Sequence, residues 1–201
     1  MPSLTFFFEL ASTYSYLSAA RIDDLAREQG VSVQWMPFLL GPIFANQGLT
    51  TSPFNLFPAK GTYMWRDIER LCATRGLAFQ RPSQQALERF PNHSVLASRV
   101  ALVGLKEGWG KRFVRAVYEA QFYEWKAIAD PAVIGALIEM AGGDPGLAME
   151  QATSPETKTQ LRLNTKSAED AGVFGAPSFL VGEDLYWGDD RLEMALNQVT
   201  E

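Results

Sequence analysis

Residues 4–10 (LTFFFEL) form a short apolar and aromatic run of strand length, suited to a strand buried on both faces. A hydroxyl-rich stretch follows, Ala11-Ser12-Thr13-Tyr14-Ser15. Oxygens of such side chains accept from the free backbone N–H groups of a helix start, and the next segment carries Tyr14, Leu17, Ile22 and Leu25 on one broad side. Gly30 is expected to close that helix. Residues 31–40 (VSVQWMPFLL) alternate and read as a second strand, which makes the first forty residues a β-α-β unit with a right-handed crossover as its default hand.

From residue 41 to about 58 the chain mixes Gly, Pro, Asn, Ser and Thr with aromatics, the pattern of a long ordered loop over a pocket. Phe44, Phe54 and Phe57 argue against disorder there. Between residues 60 and 170 the period becomes helical, with one helix opening around Tyr63 and closing at Gly76 and others over 94–107, 111–125, 131–141 and 155–171. Residues 178–181 and 185–187 flank Gly182-Glu183-Asp184, a hairpin composition. After Gly188, Asp189 can cap a last helix with Leu192, Ala195, Leu196 and Val199 on one face. Removing the helical block leaves the element order of a thioredoxin fold. The prediction is an α/β thioredoxin-like fold interrupted by an all-helical inserted domain, with residues 1–45 and 168–201 in the first and 46–167 in the second.

Composition narrows the chemistry. At 201 residues with 47% hydrophobic and 20% charged positions, the chain is an ordinary globular protein able to bury a core. A net charge of -5 supplies no basic field for nucleic acid, so a small-molecule partner fits better. The single cysteine, Cys72, excludes an internal disulfide and any CxxC redox site, and it reads as a buried small hydrophobe. One histidine, His93, leaves no pair for a catalytic metal, and no metal is expected. Trp65 and Trp125 read as core or domain-interface residues. Glu9 interrupts the N-terminal apolar run, which therefore reads as a strand and not a signal peptide. With no stretch long enough to span a bilayer, no membrane partner and a cytoplasmic location are expected.

Ligands of such α/β sheets collect beyond the carboxyl ends of the strands, which directs attention to the junction at Ser12. A helix N-terminus favours an anion, a thiolate included, and a Ser12 hydroxyl could donate to it. On local sequence alone Ser12 reads first as a helix N-cap and nothing more. Pro177 stands directly before a predicted strand. A cis Ala176–Pro177 bond would leave the Ala176 backbone pointing out for an extended peptide, whereas base rates for such bonds favour an ordinary trans turn.

FFFELASTYSYLSAARI, VQWMPFLLGPIF, SPFNLFPAKGTYMWRDIERLC and FGAPSFLVGEDLYWGDDRLE, in that order, resemble the 2-hydroxychromene-2-carboxylate isomerases, relatives of the kappa-class glutathione transferases. The resemblance covers nearly the whole chain. It implies glutathione as cofactor, with its sulfur near Ser12, its cysteinyl backbone held at Ala176 beside Pro177, and its γ-glutamyl end received by Asp189 and Asp190. The Pro58-Ala59-Lys60-Gly61-Thr62-Tyr63-Met64 stretch makes Lys60 the candidate cation for a glutathione or substrate carboxylate, beside its bland reading as a solvated lysine. The implied activity is interconversion of 2-hydroxychromene-2-carboxylate and trans-o-hydroxybenzylidenepyruvate, or a similar aromatic carboxylate, by a homodimeric isomerase. The alternative is a kappa-like transferase or peroxidase acting on another electrophile. A thiol-disulfide oxidoreductase is disfavoured because Ser12 and Ser15 stand where both cysteines would be needed. Thr50-Thr51 and His93 depart from the expected pattern, in which an amide or acid and a smaller amide respectively would stand.

Overall fold

Four strands and eleven α-helices appear among residues 2–200, which the computed structural model describes. Strand β1 (Ser3–Phe8) leads into α1 (Thr13–Glu28) and β2 (Ser32–Pro37). Helices α2 (Leu40–Asn46), α3 (Pro53–Leu56), α4 (Pro58–Arg75), α5 (Gln84–Glu88), α6 (Val95–Glu107), α7 (Gly110–Phe122), α8 (Pro131–Ala141), α9 (Pro145–Thr153) and α10 (Pro155–Asp170) follow. The chain returns to the sheet with β3 (Ser178–Val181) and β4 (Asp184–Trp187), then closes with a 3-10 turn (Asp189–Arg191) and α11 (Leu192–Thr200). The sheet order is β2-β1-β3-β4, with β1 and β2 parallel and the other pairs antiparallel, so the predicted thioredoxin-like order is present.

The aromatic run Phe6–Phe8 of β1 is explained by burial of both its faces. Phe6 and Phe8 pack with Trp35 and, through Phe6, with Phe179, in the core that α1 and α11 complete. Phe7 points the other way, into a smaller cluster with Phe38, Ile43 and Ala168 supplied by α2 and α10. Full burial of such a ring contributes roughly 1.5–3 kcal/mol. The last turn of α10, at Ala168, thus lies against the sheet.

The predicted ordered loop over 41–58 instead contains two short helices. Pro53 occupies the first turn of α3 while Ser52 Oγ accepts from Phe54 N at 3.3 Å, a cap signal written in the Ser-Pro pair. Helix α4 starts at Pro58, five residues earlier than Tyr63, because the same proline device sets its first turn. Helices α5 and α9 escaped the periodicity for the same reason: each is brief, yet Ser83 and Asp144 accept from Ala86 N and Leu147 N as N-caps.

Close contact in the helical block depends on missing side chains. A Cβ on Gly110 would lie 2.2 Å from Leu105 N and 2.5 Å from the Gly104 carbonyl carbon, all backbone that cannot move aside cheaply. Gly110→Ala is expected to lose about 1–3 kcal/mol of stability, as overpacking does. Chemical denaturation would check this, and an unchanged midpoint would show that α6 and α7 can separate freely.

Candidate functional site

The chemistry gathers where β1 ends. Ser12 caps α1 in extended conformation, its Oγ accepting from Ser15 N at 3.2 Å. The same hydroxyl donates to the Ala176 carbonyl at 2.9 Å, joining positions 164 residues apart. The Ala176–Pro177 peptide is cis, as the extended-peptide reading required, and Gly188 N donates to Pro177 O at 3.0 Å. Pro177 is buried behind Ala176, and Gly175 is pinned below Trp187, where an added Cβ would come within 2.3 Å of Nε1. Together these contacts fix the Ala176 backbone at the rim of a cleft of about 1490 Å³, lined among others by Ser12, Tyr14, Lys60, His93, Ala176 and Asp190. That volume exceeds the usual range for one small ligand, leaving room for two.

Lys60 stands on the first turn of α4, which Gly61 brings so close to α3 that a Cβ there would sit 2.3 Å from Phe54 O. Its ammonium lies over the Phe57 ring, 5.1 Å from the centroid, and among the described residues no carboxylate comes within ion-pair distance of it. A cation at a helix N-terminus opposes the dipole, so an anionic ligand would relieve it.

The structure separates the two aspartates that the sequence reading treated together. Asp189 is buried: Ser18 Oγ donates to Oδ1 at 2.9 Å, Arg21 pairs with Oδ1 at 3.4 Å, and Arg75 pairs with Oδ2 at 2.7 Å. Both carboxylate oxygens hold partners on α1 and α4, so Asp189, which also lines the cleft, anchors the turn beside the site. Asp190 is exposed, faces the cleft and, among the described residues, has Arg191, at 2.7 Å, as its one ion-pair partner. It remains the carboxylate able to take an ammonium.

Sequence reasoning missed Glu9 as a site residue. Only 6% exposed, it lines the cleft three residues before Ser12, with Oε2 accepting from Ala11 N at 2.8 Å and Oε1 from the Ser94 hydroxyl. Burial pushes its carboxyl up to about 7, against the opposing pull of the Ser94 and Ala11 donors. Its backbone carbonyl accepts from Tyr118 OH at 3.0 Å, and Gln121 Nε2 donates to Leu10 O at 2.6 Å, so α7 clamps the strand end. The signal was present: an acid at the end of an apolar strand must be neutral or well bonded. At the cleft wall, Tyr14 OH donates to Asp67 at 2.9 Å, and burial together with that acid raises its phenol, so it stays protonated. His93 is exposed at the cleft, whereas Cys72 is buried and its thiol pushed up to about 11. Trp65 stacks edge-on with Phe90 and Trp125, bridging α4 to the end of α7. Among the described residues, no group of three His, Cys, Asp or Glu converges as a metal site, and no helix is long and apolar enough to cross a membrane.

Comparison with known proteins matches residues 3–200 to the model of the DSBA-like thioredoxin domain. The chain is 26% identical over 194 residues to a 2-hydroxychromene-2-carboxylate isomerase of Sphingobium xenophagum, spanning 95% of this chain and 94% of that protein. It is 23% identical over 204 residues to glutathione S-transferase kappa 1 of Caenorhabditis elegans, spanning 96% and 89% respectively. The solved structure of a 2-hydroxychromene-2-carboxylate isomerase superposes with a TM-score of 0.84 at 21% identity, covering 98% of this chain and 94% of that one.

Proposed function

The chain belongs to the DSBA-like thioredoxin domain family, and we propose that within it the protein is a glutathione-dependent isomerase of 2-hydroxychromene-2-carboxylate, or of a similar aromatic carboxylate. One observation carries the reading: a serine hydroxyl at a helix N-terminus meets the backbone before a cis-proline on a cleft large enough for a tripeptide and a second ligand. The residues fit that tripeptide. Ala176 offers backbone for pairing with an extended peptide, Asp190 a carboxylate for its ammonium, and Lys60 a cation for a carboxylate of either ligand. Asp189 contributes by holding the Gly188–Arg191 turn against α1.

Glutathione, when bound, supplies a thiolate that can add reversibly to a conjugated alkene and let the former double bond rotate. The Ser12 hydroxyl and the free N–H groups of the first turn of α1 stabilise negative charge at the sulfur position. To donate there, the Ser12 proton must turn away from Ala176 O, which frees that carbonyl for a peptide N–H. The two interactions are coupled: a ligand that pairs with Ala176 also releases the hydroxyl.

The test is to follow the ultraviolet spectrum of 2-hydroxychromene-2-carboxylate with and without glutathione while assaying free thiol. Interconversion that requires glutathione and leaves thiol constant is expected. Consumption of thiol would favour instead a kappa-like transferase, the reading supported by the Caenorhabditis elegans relative. Ser12→Ala is expected to raise the pKa of the bound thiol by ~1–2 units, the worth of one hydrogen bond to a charged group. Loss of the cap should cost about 1 kcal/mol in stability besides. An unchanged thiol titration would remove Ser12 from the mechanism.

A further inference from the structure

Resting on the glutathione reading, we infer that Glu9 is the proton acceptor of the cleft: its carboxylate takes up the proton that the bound thiol loses. Glu9 lies in the four-residue link between β1 and α1, so its carboxylate stands beneath the same helix N-terminus that stabilises the thiolate, and it lines the same cleft as Ser12. Its two oxygens each hold one donor, Ala11 N and the Ser94 hydroxyl, and each keeps a lone pair for a proton.

The groups around it leave it free to change charge. From α7 comes the Tyr118 phenol, bonded to the Glu9 carbonyl and kept neutral chiefly by its own burial. From the head of α6 comes Ser94, and from α1 Ser15, whose Oγ accepts from Glu9 N. Next to Ser94 stands His93, exposed at the cleft. No arginine or lysine is paired with Glu9 among the described residues, in contrast to Asp189 and Asp23, each held by two cations. An acid buried without a cation is poised near neutrality, which agrees with its raised pKa. A negative sulfur arriving nearby raises the carboxyl further and draws a proton onto it. In the balance, the S–H bond breaks, its electron pair stays on sulfur, and an O–H bond forms on Glu9. The proton returns when the thiol re-forms, so turnover needs no exchange with solvent.

The experiment counts protons. Glutathione is titrated into the wild-type protein and into Glu9→Gln at pH 7, thiolate being read from its ultraviolet absorbance and released protons from a pH indicator. Gln keeps an acceptor for Ala11 N, and thermal melting confirms that the variant folds. Wild type is expected to form thiolate with clearly less than one proton released per thiolate, whereas Glu9→Gln should release close to one. Infrared difference spectra should show a protonated-carboxyl band on binding in wild type only. Ser94→Ala, which removes a donor to the ionised form, should move proton uptake to higher pH. Equal proton release per thiolate in wild type and Glu9→Gln would overturn the assignment while leaving the glutathione reading intact. Absence of any thiolate in wild type would remove both.

Discussion

Asp189→Ala is expected to cost about 3 kcal/mol or more of folding stability, in the range found when one partner of a buried ion pair is removed. The carboxylate is 3% exposed and joins three side chains: Ser18 and Arg21 from α1, and Arg75 from the last turn of α4. Truncation removes the anion shared by two guanidinium groups: Arg21 keeps its pairing with Glu193, whereas Arg75 loses its carboxylate. Their side chains are 21% and 25% exposed, so they can turn partly to solvent, which places the loss toward the lower end of that range. Asp190→Ala is the control. Its side chain is 74% exposed and pairs, among the described residues, with Arg191 alone, so stability should change by no more than about 0.5 kcal/mol while glutathione affinity falls. Urea denaturation of both variants would check the contrast, and equal losses would mean that Asp189 is not the anchor of the turn.

The second large effect is a pH dependence of stability centred on Glu9. Its folded carboxyl is pushed by burial from 4.5 up to about 7. Between those values the folded chain binds more protons than the unfolded one, so stability must fall as pH rises. The contribution is fully present below 4.5 and lost as pH passes 7. At ~1.4 kcal/mol per pKa unit, the total change is roughly 3 kcal/mol. Glu9→Gln has no proton to lose. Relative to wild type it should therefore gain about that amount between pH 4 and pH 8, measured by urea midpoints across the range. A constant difference between the two proteins would show that Glu9 titrates in the fold as it does in the unfolded chain.

The strands were legible because burial on both faces leaves a local mark. Leu4, Phe6 and Phe8 serve one core and Phe7 another, so the end of β1 reads as three consecutive phenylalanines. Helices α8 and α10 were legible because Asp130-Pro131 and Ser154-Pro155 couple a cap to a proline ahead of a long period. Helices α3 and α9 carry the same device at Ser52-Pro53 and Asp144-Pro145, but four and nine residues offer too few turns for a period to show. At the site, Ser12, Lys60, Ala176 and Asp190 were named from the sequence, and the fold sets all four around one cleft. The ion pairs of Asp189 and the burial of Glu9 are not visible from either residue's neighbours along the chain.

What the sequence determined by itself is whatever depends on neighbours along the chain: strand runs, helix caps, the turn at Gly182, and a hydroxyl at the head of α1. What only the tertiary structure decided is which charges are already occupied. Asp189 and Asp190 are adjacent, chemically identical and both at the cleft, yet Arg21 and Arg75, more than a hundred residues away, pair with the first while the second stays exposed. Glu9 is an ordinary carboxylate in sequence. Ser94, α7 and the loss of water around it make it a group that can exchange a proton near neutral pH, because the energy of a buried charge is set by the partners that long-range packing brings or withholds.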